Sequence, residues 1–253
     1  MGKIISFANQ KGGVGKTTSA INIAAALGVL GYRVLLIDLD PQGNATSGVG
    51  IMKKNLTKTS FDLLTAESSA DEVTIKTRFE NLSVIPAQIT LAKAEFELMD
   101  IESSEYTMKN KLAAVKDHYD YIIIDCPPSL GLLTVNAMTA SDGLVIPMQC
   151  EFFALEGLSQ LMRTFTRIKT HYNPELNVTG ILITMHNNRL VLSMQVLNEL
   201  RKHYSDKLFE TTISRNVKVS EAPGFGAPVY YHDKRSKGAT EYMNVAKELA
   251  ERI

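Results

Sequence analysis

The chain has no net charge, because 27 lysine and arginine residues balance 27 aspartate and glutamate residues. No global field therefore drives it onto nucleic acid or an anionic membrane, and any such binding must come from a local patch. It has only two cysteines, Cys126 and Cys150, too few and too far apart for a zinc knuckle or a disulfide framework. Half-buried thiols in a reducing compartment are the expectation. It also lacks an apolar run approaching the roughly 20 residues that span a bilayer, and its amino terminus enters a strand pattern with no signal-peptide layout. A cytosolic protein is expected. Internal repeats, low-complexity tracts and linkers rich in proline, glycine or serine are missing too. What remains is 253 residues, 45% hydrophobic and 21% charged, the composition of an ordinary globular protein. One domain over residues 1–253 is the simplest account.

The apolar runs are short, β-branched and continuous rather than alternating, and stretches with helical spacing separate them. Such a pattern implies strands buried on both faces of a parallel sheet, hence an α/β fold of the doubly wound type. Strands are expected near Ile4 to Ala8, Arg33 to Asp38, Leu82 to Ile85, Tyr121 to Asp125, Gly143 to Pro147, Val178 to Thr184 and Leu208 to Thr212. Helices are expected near Lys16 to Leu30, Leu91 to Met99, Thr107 to Asp117, Leu130 to Thr139, Leu155 to Lys169, Leu192 to His203 and Ala239 to Glu251. The polar, aperiodic stretch from Gly50 to Glu80 reads as an irregular excursion with a short helix around Phe61 to Leu64.

Charge is distributed unevenly. Residues 1–150 carry 13 basic and 16 acidic side chains, and residues 151–253 carry 14 and 11. Between Ser159 and Lys237 the count is 12 basic against 6 acidic, with four of the five histidines. A basic face on the carboxy-terminal half follows as an expectation.

The strongest local signal is Lys11-Gly12-Gly13-Val14-Gly15-Lys16-Thr17-Thr18, between a strand-like and a helix-like segment. Glycines let the backbone curl so that successive N–H groups point inward, an anion cradle at a helix amino terminus. Lys16 is placed to bridge outer phosphates and Thr17 to offer its hydroxyl to Mg²⁺. The strict phosphate-loop pattern asks for glycine six positions before the lysine; this chain has Gln10 there, and a second lysine, Lys11, at the loop's entrance. Two carboxylate stations follow strands, in Asp38-Leu39-Asp40-Pro41 and in Asp125-Cys126-Pro127-Pro128. An aspartate at the carboxyl end of a parallel strand points into the crevice where open α/β sheets bind ligands. Asp125 therefore reads as the Walker B acid, holding Mg²⁺ directly or through water. Asp40 is preferred over Asp38 for orienting the attacking water, because it lies beyond the strand end on a flexible loop.

Together these motifs closely resemble the deviant Walker ATPases. Within them, Asn9-Gln10-Lys11, Pro41-Gln-Gly-Asn-Ala-Thr-Ser47, Pro127-Pro-Ser-Leu-Gly131, Gln149-Cys-Glu151 with Leu155-Glu-Gly-Leu158, and Ser220-Glu-Ala-Pro223 resemble the ParA/Soj partitioning proteins, over essentially the whole chain. The match is to the short form of that family, without an amino-terminal helix-turn-helix extension. The resemblance implies an ATPase using ATP and Mg²⁺ whose nucleotide is sandwiched between two subunits of a homodimer. Lys11 would reach across to the partner's phosphates, and Gly12 would sit where two backbones approach. The phosphate and metal contacts would be Gly12, Gly13, Val14, Gly15, Lys16, Thr17 and Thr18, with Asp40 as the hydrolysis residue and Asp125 as the Walker B acid. Asn216 resembles the family's adenine-contacting position, although a proline is common where this chain has Ser214. The resemblance further implies nonspecific binding of double-stranded DNA in the ATP state through Arg189 and Lys218, nucleoid association, and release on hydrolysis stimulated by a ParB-like centromere-binding partner. Arg163, Arg167, Arg201, Lys202, Lys234, Arg235 and Lys237 could extend the DNA surface.

Three other readings compete. A MinD-like membrane-cycling ATPase would end in a basic amphipathic helix. Here Tyr242, Val245, Ala246, Leu249 and Ile253 form a stripe accompanied by Glu241, Glu248 and Glu251, which reads as a helix packed on the core. An iron–sulfur reductase would need a matched interfacial cysteine pair, which Cys126 and Cys150 do not resemble. A ParA-like ATPase positioning a protein complex differs only in cargo.

Overall fold

A computed structural model describes residues 2–253. Seven strands form its centre: β1 (Lys3–Phe7), β2 (Val34–Asp38), β3 (Ile75–Lys76), β4 (Leu82–Ile85), β5 (Tyr121–Asp125), β6 (Gly143–Met148) and β7 (Asn177–Ile183). They make one sheet in the order β3-β4-β2-β5-β1-β6-β7. Every pairing is parallel except that of β3 with β4. The main helices are α1 (Lys16–Val29), α2 (Thr107–Ala113), α3 (Leu132–Ala140), α4 (Ala154–His171), α5 (Val191–Tyr204) and α6 (Lys237–Arg252).

The continuous apolar runs have the expected cause. All five residues of β2 and of β5 are buried, because helices cover both faces of the sheet. Alternate side chains along β2 part company: Leu35 and Ile37 join a cluster with Leu133, Leu158 and Leu197 of α3, α4 and α5, whereas Val34 and Leu36 join Ile23, Leu27, Tyr242 and Val245 of α1 and α6. Register then sets the site. Phe7 and Asp38 both stand opposite Asp125, so β1, β5 and β2 end level with one another. The strand order also reverses at β1, which puts a crevice for ligands beyond these carboxyl ends.

Differences from the sequence reading have identifiable reasons. Leu208–Thr212 is not a strand. It makes one bridge, Leu208 to Ile181, with backbone bonds of Ile181 N–H to Lys207 O at 2.8 Å and Phe209 N–H to Ile181 O at 3.0 Å. Beyond that, α6 side chains replace a ladder: Arg252 donates to the Lys207 and Leu208 carbonyls, and Glu248 accepts from the Glu210 and Thr211 N–H groups. The two-residue β3 was too short to show a period. The excursion between Gly50 and Glu80 contains helices Ser60–Thr65 and Ala70–Val73, each started by a capping box, Thr59 with Asp62 and Ser69 with Glu72. α2 stops at Ala113, and a 3₁₀ turn, Lys116–His118, covers only Lys116 and Asp117 of the remaining expected helix.

One glycine on α1 permits a close approach. A Cβ on Gly28 would overlap the carbonyl oxygen of Glu80, just before β4. Alanine would gain up to about 1 kcal/mol of helix propensity there, but forcing an extra carbon into packed backbone costs about 1–3 kcal/mol. Gly28→Ala should therefore lower the urea midpoint of unfolding. Gly157→Ala on α4, where the new carbon meets only the Gln10 amide at an ordinary 3.7 Å, should raise it.

Candidate functional site

The loop between β1 and α1 wraps around empty space. Gly13 and Gly15 take φ of 73° and 83°, conformations that side chains resist, and Gly15 caps α1 without any side-chain partner for the helix's first N–H groups. A Cβ on Gly12 or Gly13 would meet nothing within 4 Å. The loop is nevertheless held firmly from outside. Thr184 Oγ1 donates to Val14 O at 2.7 Å, Gln149 Nε2 donates to Gly13 O at 2.8 Å, and Asn9 bridges Lys11 N–H and Pro147 O at 3.0 and 2.9 Å. The ends of β6 and β7 thus brace the cradle, leaving its inner face to a ligand.

That face opens on a cavity of about 340 Å³ lined by Gly12, Gly13, Gly15, Lys16, Thr17, Thr18, Asp40 and Pro128. Lys16 is 6% exposed and its ammonium donates to the Lys11 carbonyl at 3.1 Å. Burial lowers its pKa, opposed by the negative charges around it, Asp125 foremost. One buried cation facing anionic oxygens is suited to a phosphate chain.

The three aspartates have separate roles. Asp38 accepts from Thr46 N–H and Oγ1–H at 2.7 Å each and from Asp40 N–H at 3.1 Å, which anchors the short helix Asn44–Gly48. Burial raises its pKa to about 6 against the pull of those bonds. Asp40 is the one that lines the cavity. It is not on a loose loop as expected: it is buried at 7% exposure and its Oδ1 accepts from Gln42 N–H at 2.9 Å, a turn that fixes it. Asp125 is wholly buried, and neither carboxylate oxygen has a hydrogen-bond partner. Burial, then the repulsion of Asp38, pushes its proton affinity well up, with Thr17 opposing. Two orphaned carboxylate oxygens beside a threonine hydroxyl and a phosphate-sized cavity fit a divalent cation carried by a nucleotide.

A second cavity, about 130 Å³, shares Gly15, Thr18 and Met185 with the first and is lined by Ile213, Ser214, Asn216, Val219 and Tyr242. Asn216 lies where a base could lie. Its Oδ1 accepts from Lys218 and Val219 N–H, capping the helix Val217–Glu221 and leaving the amide N–H₂ to donate. Ser214 donates its N–H and hydroxyl to Glu241 of α6 at 2.9 Å each. A proline there could not make the first bond.

Lys11 does not line its own phosphate cavity. Its ammonium is paired with Glu151, at the half-exposed mouth of the cleft. Arg189 and Lys218 are both exposed, Arg189 on a loop and Lys218 on the helix Val217–Glu221, three and four residues beyond the His186–Ser214 bridge. Lys218 pairs with Glu221 at 3.0 Å. Sequence reasoning gave no role to Met185, which lines both cavities with a φ of 47°, or to Thr184, Gln149 and Glu151, which hold the loop. Gln149 and Glu151 stand in a motif that carried the resemblance; nothing local distinguished Met185.

An unpartnered buried carboxylate should make the nucleotide-free protein less stable than it could be. A raised native pKa means that the unfolded chain ionises first, so Asp125 subtracts stability as pH rises above the unfolded value near 4. Asp125→Asn should accordingly stabilise the ligand-free protein at pH 8 by about 1–3 kcal/mol, with the gain shrinking towards pH 4, measured by thermal unfolding across that range. Equal stability at both pH values would mean that Asp125 is satisfied by a partner.

Comparison with known proteins agrees with this geometry. A family model described as an AAA domain matches residues 2–178. The sporulation initiation inhibitor protein Soj of Bacillus subtilis is 53% identical over 250 residues, covering 99% of both chains. The chromosome partitioning protein ParA of Caulobacter vibrioides is 47% identical over 252 residues, 99% of this chain and 94% of that protein. Among solved structures, a cobyrinic acid a,c-diamide synthase from Mycobacterium smegmatis, with bound ATP analogue and magnesium, superposes with a TM-score of 0.87 at 35% identity, covering 99% of this chain and 95% of that one. Phosphate loop, paired aspartate stations and near-complete alignment to Soj and ParA coincide in one molecule, and the chain belongs to the ParA/Soj family of chromosome-partitioning ATPases.

Proposed function

We propose that the protein is a nucleotide-switched DNA clamp: with ATP bound it closes as a homodimer that holds double-stranded DNA without sequence preference, and hydrolysis stimulated by a ParB-like centromere-binding partner releases it. The observation that carries this reading is the division between Lys16, buried against the phosphate cavity, and Lys11, held outside it by Glu151. One subunit supplies its own phosphates with one lysine and presents the other outward. Above Gly12 there is open space, so a second subunit can approach the loop closely. Lys11 then plays the part of a cation supplied in trans, neutralising charge that develops during phosphoryl transfer.

Within one subunit, the loop from Gly12 to Thr18 binds the phosphates, Asn216 donates to the base, and Thr17 and Asp125 hold Mg²⁺. When bound, the ion neutralises charge on the outer phosphate oxygens. The ATP analogue and magnesium in the related Mycobacterium smegmatis structure support that ligand pair here. Asp40 orients the attacking water. No strong general base lines the cavity, so turnover without a partner should be slow.

Arg189 and Lys218 bind DNA phosphates, the exposed Glu221 partner of Lys218 being too weak a competitor to prevent it. Dimerisation doubles the set, making affinity depend on both nucleotide and salt. Association with the nucleoid follows. A membrane as the cargo is disfavoured by the last helix: Tyr242, Val245, Ala246 and Leu249 are buried, and among the described residues no helix is long and apolar enough to cross a bilayer.

Asp40→Ala should trap the ATP-bound dimer on DNA with turnover lost, while Lys16→Ala should abolish nucleotide-dependent binding; normal hydrolysis by Asp40→Ala would move the water-orienting role elsewhere. Binding to a random duplex should appear with ATP and not with ADP or without nucleotide, weaken at higher salt, and fall by on the order of tenfold or more in Arg189→Glu/Lys218→Glu. ATP-dependent dimerisation without DNA binding in any state would point instead to a protein cargo.

A further inference from the structure

One carboxylate holds both ends of the loop that carries Asp40. Asp38 Oδ1 accepts from Asp40 N–H at 3.1 Å, and its Oδ2 accepts from Thr46 twice, from the N–H and from the hydroxyl, at 2.7 Å each. The chain from Asp40 to Thr46 therefore leaves and returns to a single buried group at the end of β2.

The Thr46 hydroxyl has a second use. Its oxygen accepts from Ala87 N–H at 2.8 Å, just beyond β4. The hydrogen is thus spent on β2 and a lone pair on the chain after β4. Thr46 is wholly buried, so water cannot stand in for either partner, and removing the hydroxyl would leave the Ala87 N–H orphaned. A threonine in a helix commonly turns its hydroxyl back to the carbonyl four residues earlier. Here that carbonyl, of Gln42, accepts instead from the Lys53 ammonium. The hydroxyl of Thr46 serves long-range ties alone.

Ala87 also limits where the loop can go. Gly43 takes φ of 61°, and a Cβ there would lie 2.6 Å from the Ala87 carbonyl oxygen. Inside the loop, Gly43 N–H donates to Asp40 O at 2.8 Å and Gln42 N–H donates to Asp40 Oδ1 at 2.9 Å. The chain after β4 therefore supports the loop by its N–H, through Thr46, and by its carbonyl, against Gly43. Only the side lined by Asp40, Gln42 and Asn44 is left facing the phosphate cavity.

We propose that Thr46 is a positioning residue for ATP hydrolysis: its hydroxyl, held between Asp38 and Ala87, fixes the loop so that the Asp40 carboxylate stands where the attacking water must be held. The inference rests on the water-orienting role proposed for Asp40 and adds the residue that sets its place. A misplacement of about 1 Å at a reacting group costs on the order of a hundredfold in rate. Phosphate binding, by contrast, uses the glycine loop and Lys16, which Thr46 does not touch. Removing the hydroxyl should slow the chemical step far more than it weakens nucleotide binding.

The test measures single-turnover ATP hydrolysis and MgATP affinity in the full-length protein for Thr46→Val, Thr46→Ser and Asp40→Ala. Thr46→Val keeps the shape and loses the hydroxyl; its hydrolysis rate should fall about tenfold or more, with ATP affinity within about threefold of wild type. Thr46→Ser keeps the hydroxyl and should recover most of the rate. Hydrogen exchange at the Ala87 amide should quicken in the valine variant and not in the serine variant. Gly28→Ala, expected to be destabilised by a contact remote from this loop, should hydrolyse ATP at the wild-type rate, which separates positioning from lost stability. If the valine variant does not fold, Thr46→Ala compared with Thr46→Ser gives the same contrast with a smaller side chain. Wild-type hydrolysis without the hydroxyl, ATP affinity lost in step with the rate, or a serine variant no faster than valine would each overturn the proposal. If Asp40→Ala is inactive while Thr46→Val is unimpaired, the positioning role alone falls; if Asp40→Ala hydrolyses ATP normally, the water-orienting role falls and takes this inference with it.

Discussion

The site depends on a carboxylate that the fold buries and does not satisfy. Asp125 ends β5 level with Asp38 and Phe7, wholly enclosed, with both oxygens unpartnered. Packing alone would favour an apolar residue there, since an unpaired buried charge is among the most expensive features a core can hold. The cost makes sense beside a cavity floored by Lys16 and Thr17, if, as proposed, a phosphate-bound divalent ion is the missing partner. Binding energy for that ion and the strain of the ligand-free state are then two sides of one electrostatic imbalance.

Around it, the fold separates rigidity from function. Asp38 has the same kind of position but is fully engaged in holding Thr46, so two adjacent strand-end aspartates differ in role because one is given donors and the other is not. Thr184 and Gln149, from the ends of β7 and β6, and Asn9, tied to Pro147 of β6, brace the outside of the glycine loop, while its inner N–H face stays open. Cleft and brace are assembled from five strand ends, those of β1, β2 and β5 and those of β6 and β7, and the parallel register is what brings them together. The Mycobacterium smegmatis diamide synthase has the same fold, with an ATP analogue and magnesium bound, under a different activity name, so the fold by itself does not fix the activity.

Much of this was legible in the sequence because the signals are local. Continuous β-branched runs located β2, β4 and β5 almost to the residue, since strands covered on both faces leave no polar alternation to blur them. The glycine loop was legible because positive φ and helix capping demand glycine. What stayed hidden depends on partners distant in the chain. Leu208–Thr212 has strand composition, yet its carbonyls and N–H groups are taken by Arg252 and Glu248 some 40 residues on. Asp40 is a local exception, since the turn that fixes it reaches only to Gln42, two residues on, and Met185 carries no signal at all for its left-handed backbone. The Lys11–Glu151 pair likewise spans 140 positions, so only the folded chain shows which way that lysine is turned.

ATP affinity measured by calorimetry as Mg²⁺ is titrated, for the wild-type protein and Asp125→Asn, tests the central claim most directly. If the buried carboxylate is the unsatisfied half of a metal-nucleotide site, wild-type affinity rises steeply with Mg²⁺ and the variant loses most of that dependence while still binding nucleotide. Wild-type affinity that is unchanged in the presence of a chelator would contradict the account, and Asp125 would then be a buried charge with no ligand to explain it.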